Sequence, residues 1–397
     1  VAGDIAGLLE RARRLAGVRS YFAWDGGIRV ELAVPDRRDA AWSERYLSTY
    51  RSAPPAASDL LVCLCLDPAI VSAMERILSG LKATRSVPFY LNRLADEVRI
   101  GSVRLLAPAA NTRTEIDNAL LPEAELYAVD GRQLFVFVRP SPRMHVVPEV
   151  SRVIRDAITK DFMMRGDTLV HAGSIGLDGR GFMFCGDKGA GKSTLVLSAM
   201  RQLHANLIAN DRVQISRNAA DLDAVSWPTA AYFLLSTLEE FGISPDLNFH
   251  PDYPQKPFWS EGDEAARASM KVAVLFDETA RHLGVTVDSA AALRYVFLIE
   301  RGGPPGGRLQ RCADRREIRA FLARQVFDPD ELQYPDPFGF STLLARPAEP
   351  SGADLDALCA HPNVQFFKAT GRDTTPAILR FIEQLEVPER GAVRLGG

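Results

Sequence analysis

Apolar residues recur at helical spacing at Ile5, Leu8, Leu9, Ala12 and Leu15, which predicts a short amphipathic helix near the start. The period then drops to two. Ile28-Arg29-Val30-Glu31-Leu32 alternates and reads as a strand. Asp59 to Leu66 is a continuous apolar run of strand length, and Pro68 to Leu81 reads as the helix after it, with proline at its first position. Glu125 to Val138 reads as a hairpin, because Asp130-Gly131 suits a tight turn with positive φ. These elements predict a mixed α+β region over residues 1–145, with Pro140-Ser141-Pro142 as linker and the boundary within 140–150. A helix should follow from about Val147 to Met164, with Val150, Val153, Ile154, Ala157 and Ile158 on one side.

Beyond that helix, strands and helices alternate. Candidate strands are Leu169 to Ile175, Gly181 to Cys185, Asn206 to Ala209, Val272 to Phe276, Tyr295 to Ile299 and Val364 to Ala369. Candidate helices are Lys192 to Leu203, Arg315 to Arg324 and Thr375 to Leu385. The pattern predicts an α/β sheet with covering helices over residues 146–397. Two segments interrupt it. Pro245 to Gly262 carries Phe249, Tyr253, Phe258 and Trp259, and two readings stand: a lid or substrate wall, or plain packing of a long connection. Gly302 to Gly307 is a Gly-Pro turn after a strand.

Length supports two domains rather than one, at 397 residues. The formal net charge of −3 argues against a generally basic nucleic-acid binder. No apolar run reaches the ~20 residues of a membrane helix. Val1-Ala2-Gly3-Asp4 does not start a basic-then-apolar leader, so no signal peptide is expected. Five cysteines, at 63, 65, 185, 312 and 359, are scattered, which suits reduced thiols in the cytoplasm better than a disulfide framework. Cys63 and Cys65 would share one face of a strand, with no ligand-spaced partner following, and read as core rather than metal site.

The chemistry concentrates at Gly186-Asp187-Lys188-Gly189-Ala190-Gly191-Lys192-Ser193, which fits G-x-x-x-x-G-K-[ST] and is followed by Thr194. Glycines let the backbone turn its N–H groups inward onto phosphate oxygens. Lys192 brings positive charge to the β and γ phosphates, and Ser193 offers a hydroxyl to Mg²⁺. The N-terminus of the following helix adds its dipole. Phe182-Met183-Phe184-Cys185 before the loop and Leu195, Val196 and Ala199 after it supply strand and helix, so residues 186–194 are expected to bind ATP.

Three groups compete for roles beside this loop. A two-residue turn at Asp178-Gly179 would continue outward until His171 faces Gly186, at the loop's mouth, where it is either catalytic or structural. Leu207-Ile208-Ala209-Asn210-Asp211-Arg212 ends in polar residues. Asp211 there can bind Mg²⁺ or accept a hydroxyl proton, or simply be a solvated turn. Arg212 either offers charge to phosphoryl oxygens or forms a surface salt bridge. Asp277-Glu278, at the end of Val272 to Phe276, looks like an ATPase strand with a hydrolytic pair.

Val170-His171-Ala172-Gly173, residues 186–194 and Ala209-Asn210-Asp211 together resemble the HPr kinase/phosphorylase family, over about residues 165–216. A looser likeness runs through Ser226-Trp227-Pro228 and Leu293 to Arg301. The resemblance implies a P-loop catalytic domain of the HPr kinase/PEP carboxykinase-like kind, using ATP and Mg²⁺ to phosphorylate a serine-type hydroxyl. It implies a catalytic group of Asp211, His171 and Lys192, with Ser193 and Asp211 on the metal. The family's acidic pair begins here with Asn210, and an amide takes no proton. The resemblance therefore does not extend to the reverse reaction or to the usual metal arrangement. The family's carrier-recognition motif is not evident either, which points to a peptide or small biosynthetic metabolite as acceptor. The residues 1–145 region would help select it. No nucleic-acid or membrane partner is expected, and a homo-oligomer stays open. The alternative is a regulatory ATPase switch in which Asp277-Glu278 hydrolyses the nucleotide.

Overall fold

The computed structural model describes residues 2–24, 27–89, 93–109, 124–140, 147, 149–219, 221–227, 230–243, 271–302, 306–327, 335–344 and 354–385. They form a mixed α/β structure built on two large sheets, of eight and nine strands.

Strands between Val18 and Arg139 make the first sheet. The apolar run near residue 60 becomes the strand Leu60–Cys65, in the interior between Arg29–Val34 and Gln133–Arg139, parallel to both. Its two faces explain its composition. Val62 and Leu64 join one core with Trp42, Tyr46, Val150 and Ile154, while Cys63 and Cys65 join another with Ile5, Leu9, Ile70 and Met74. A strand buried on both sides has no polar alternation to show. Burial pushes the Cys63 thiol up to about 12 and the Cys65 thiol up to about 11, so both stay protonated. The following helix, Pro68–Ser79, starts where Asp67 accepts a hydrogen bond from the Ile70 N–H at 2.9 Å and proline opens the first turn.

The hairpin near residue 130 turns one residue later than its sequence suggests. Asp130 pairs with Gln133, and Gly131 takes φ 55°. The helix Glu149–Met164, assigned by sequence to the second region, gives Val150, Val153, Ile154, Ala157 and Ile158 to the first sheet's core.

The second sheet runs Asn206–Ala209, Ala172–Leu177, Arg180–Gly186, Ala290–Arg301, Asp221–Ser226, Val213–Asn218 and Thr168–Val170, with Gln365–Gly371 also on Ala290–Arg301 and Arg308–Cys312 antiparallel to Gln365–Gly371. Three strands in it are parallel: Arg180–Gly186, Ala290–Arg301 and Gln365–Gly371. Lys192–Leu203 and Thr375–Gln384 cover one face through Leu195, Val196, Ile378 and Ile382. Arg315–Ala323 and Leu355–Ala360 cover the other through Ile318, Leu322 and Leu358.

Two strand expectations are corrected. The single strand from Leu169 to Ile175 is two strands, Thr168–Val170 and Ala172–Leu177, broken at His171. Residues Val272 to Phe276 are split as well. Lys271–Val274 pairs with Ala231–Leu234 outside the large sheet, and Phe276 opens the helix Phe276–Leu283. Pro245 to Gly262 lies outside the described residues. No helix among the described residues is long and apolar enough to cross a membrane.

Candidate functional site

Parallel strands deliver their C-terminal ends to one edge, the usual place for a ligand crevice in α/β sheets. Here Gly186, Arg301 and Gly371 all finish at that edge. The chain leaves Gly186, turns through a glycine-rich loop and enters the helix Lys192–Leu203. Gly186 sits where a Cβ would stand 2.7 Å from the Ile299 carbonyl oxygen and 2.9 Å from the Ala190 Cβ. Gly189 and Gly191 take φ 85° and 92°, in the left-handed region that glycine enters without strain. Gly191 caps the helix without a side chain, so the first-turn N–H groups keep their attraction for an anion. The Lys192 ammonium donates to the Gly186 carbonyl at 2.6 Å and the Asp187 carbonyl at 3.3 Å, which holds it across the loop. Behind the loop, burial pushes the Cys185 thiol up to about 12, so it stays protonated.

A cavity of about 450 Å³ opens over this loop. Lys188, Gly189, Ala190, Gly191, Lys192, Ser193 and Thr194 line its floor, and His171 and Asp211 line it as well. The hairpin register agrees with its sequence up to Ala172, which pairs with Cys185; Leu177 pairs with Arg180 at the turn. His171 itself is not part of that ladder. The chain changes neighbours there, since Val170 pairs with Val213 and Ala172 with Cys185. The His171 N–H instead donates to the Gln325 carbonyl at 2.7 Å. The ring turns towards Asp211, with Nε2 at 3.4 Å from Oδ1 and about a third of each side chain exposed. Asp211 adopts φ 86°, uncommon for a residue with a Cβ and one of the conformations that collect at working sites.

Asn210 is completely buried and its Nδ2 donates to the Tyr232 carbonyl at 3.2 Å. Tyr232 lines the same cavity. An aspartate has no proton for that carbonyl at neutral pH, so the contact gives a physical reason for an amide here. Arg212 does not line the cavity; it stands in a partly exposed ion pair with Asp211. Its guanidinium lies 4.5 Å from the Trp227 ring centre and 4.9 Å from that of Phe327, with Nε 3.9 Å from Asp211.

Arg301, Arg372 and Gln325 were not singled out in the sequence. Arg301 ends the strand beside the loop strand and donates to the Gly189 carbonyl at 2.9 Å; Arg372 follows the third parallel strand and lines the cavity. Both become legible only once the parallel pairing is known. Gln325 reaches Asp187 from well over a hundred positions away, with Nε2 at 2.8 Å from Oδ1, and no local pattern marks it.

The Asp277-Glu278 expectation is corrected. Both residues sit in the first turn of Phe276–Leu283 rather than on a strand tip. Asp277 pairs with Arg45 at 3.1 Å and lines a separate open cavity with Ser48 and Thr49. Glu278 is buried, and neither residue lines the cavity over the glycine-rich loop. Among the described residues no group of three or more His, Cys, Asp or Glu could hold a metal by itself.

No family model matches the chain, and no curated protein matches it. Among solved structures it is similar to the HPr(Ser) kinase/phosphatase from Coxiella burnetii, at 14% identity and a TM-score of 0.21, over 36% of this chain and 70% of that one. A likeness of that size decides nothing about activity, so the chemistry has to be read from the site.

Proposed function

We propose that this chain is an ATP-dependent phosphotransferase with a P-loop catalytic region, acting on a serine-type hydroxyl of a peptide or small biosynthetic molecule. The observation that carries the reading is the sharing of one cavity by Lys192, Ser193, His171 and Asp211. The glycine-rich loop would take the triphosphate through its backbone N–H groups and Lys192. Ser193 and Asp211 would hold Mg²⁺, which commonly relies on one or two protein ligands plus phosphate and water oxygens. When bound, the ion neutralises charge on the β and γ phosphates. The fit to a phosphate is supported by the left-handed glycines and by the helix start without a side-chain cap.

In the reaction the acceptor oxygen bonds to the γ-phosphorus, the bond from that phosphorus to the β–γ bridging oxygen breaks, and ADP departs. Asp211 takes the hydroxyl proton. His171, against it at 3.4 Å, orients the carboxylate. Lys192 and Arg301 contribute positive charge around the transferred group, and positioning with charge neutralisation supplies most of the acceleration. The cavity exposes Tyr232 and Leu234 as an apolar wall for the acceptor or the nucleoside.

Incubation with γ-labelled ATP, Mg²⁺ and pools of metabolites and peptides tests this. Label recovered in an organic product, with the matching phosphate mass gain, is the expected result. Label recovered only as inorganic phosphate would leave a nucleotide hydrolase in its place.

A further inference from the structure

We infer that Gln325 is a positioning residue that ties the glycine-rich loop to the His171–Asp211 pair. The inference rests on the phosphotransferase reading and adds to it a part that neither loop nor pair supplies. Gln325 follows the helix Arg315–Ala323 and is only 3% exposed. It makes two contacts in different directions. Its Nε2 donates to the Asp187 carboxylate at 2.8 Å, and its backbone carbonyl accepts the His171 N–H at 2.7 Å.

The second contact answers a problem set by the sheet. His171 stands where the chain passes from one neighbouring strand to others, so its N–H has no place in the ladder. A buried N–H without an acceptor is costly, and Gln325 provides the acceptor. The next two residues continue the bracket. Val326 bridges to Val170, and the Phe327 N–H donates to the Leu169 carbonyl at 2.9 Å. The Phe327 ring then lies 6.1 Å from the His171 ring.

The first contact is one of polarity rather than packing. With Nε2 given to Asp187, the Gln325 Oε1 is left buried with no hydrogen-bond partner among the described residues. An apolar side chain of similar length would fill the space without that penalty. What glutamine adds is a charge-assisted hydrogen bond to the loop, at a residue whose backbone already holds the imidazole. The spacing between the phosphate cradle and the proton-handling pair is then set by one residue.

Titration calorimetry with MgATP and imidazole NMR, with the His171 resonance assigned through His171→Gln, tests this on the full chain. Gln325→Glu sets one carboxylate against another. It should weaken MgATP binding about tenfold and displace the His171 resonance. Combining Gln325→Glu with Asp187→Asn restores a donor–acceptor pair with its polarity reversed and should return the ligand-free His171 resonance towards wild type. Wild-type affinity together with an unmoved resonance in Gln325→Glu overturns the inference, and so does a double variant whose resonance is no closer to wild type than that of the single. If Gln325→Glu does not fold, Gln325→Met supplies the comparison: weakened MgATP binding is expected, and wild-type affinity overturns the inference. Wild-type protein that fails to bind MgATP would instead break the phosphotransferase reading, while the His171 resonance of the ligand-free variants would still decide whether the bracket exists.

Discussion

In the first sheet the Glu97 side chain is fully enclosed and accepts hydrogen bonds from Arg104, Arg85 and Arg99 at 2.8 to 3.0 Å, whereas at the end of the second sheet His171 and Asp211 meet at 3.4 Å with about a third of each in solvent. Burial raises the Glu97 carboxyl, but the three arginines outweigh it and bring it down to about 2. Arg104 also donates to the carbonyls of Pro337 and Phe338, so the cluster fastens the sheet to a distant segment. Arg93 and Glu125 form a second enclosed pair at 2.9 Å. The Glu97 and Glu125 carboxylates of the first sheet are answered from within the fold. Charge over the glycine-rich loop borders a cavity, where a ligand can answer it. Ion pairs are common to both regions, so pairing alone does not mark a working site; access and strand-end position do.

The contrast can be broken by substitution, and the site should give way first. Lys192→Ala should reduce ATP turnover about 10³-fold while thermal unfolding stays close to wild type. Asp211→Asn, which the left-handed backbone tolerates, should keep ATP binding by calorimetry and lower phosphoryl transfer about 10²-fold. Unchanged transfer would remove Asp211 from the mechanism. On the structural side, Glu97→Gln should cost about 2 kcal/mol in denaturant unfolding at neutral pH and leave MgATP affinity alone. Because the folded carboxyl lies below its unfolded value of roughly 4.3, wild type holds this stabilisation above that pH and loses it as pH falls towards 2. Glu97→Gln should flatten that part of the pH profile. The smallest effect sharpens the comparison inside the site. Asn210→Asp recreates an acidic pair but removes the donor to Tyr232, so it should cost about 1 kcal/mol and bring no gain in turnover.

What the sequence disclosed depends on how far apart the interacting residues are. The helix Lys192–Leu203 and the strand Asn206–Ala209 have the bounds their apolar spacing implied, and the Ala172–Cys185 register followed from the Asp178-Gly179 turn. These are local facts. The break at His171 was hidden, because a strand that changes neighbours keeps its alternation on both sides of the change. Gln325 and Arg301 were hidden because their contacts depend on chain segments brought together only by the fold. Asp277-Glu278 misled for a related reason. A β-rich run followed by acids fits a strand tip as well as a helix start, where acids also favour the first turn.

The left-handed bend at Asp211 narrows how evolution can edit this position. Glutamate would preserve the charge, yet its longer side chain lacks the local bonding that eases aspartate into that region, and the backbone would resist by about 1 kcal/mol. Asparagine and glycine would be accepted readily, and each erases the carboxylate. On the proposed phosphotransferase reading, a single substitution that spares the bend would therefore remove the proton acceptor while leaving the backbone undisturbed.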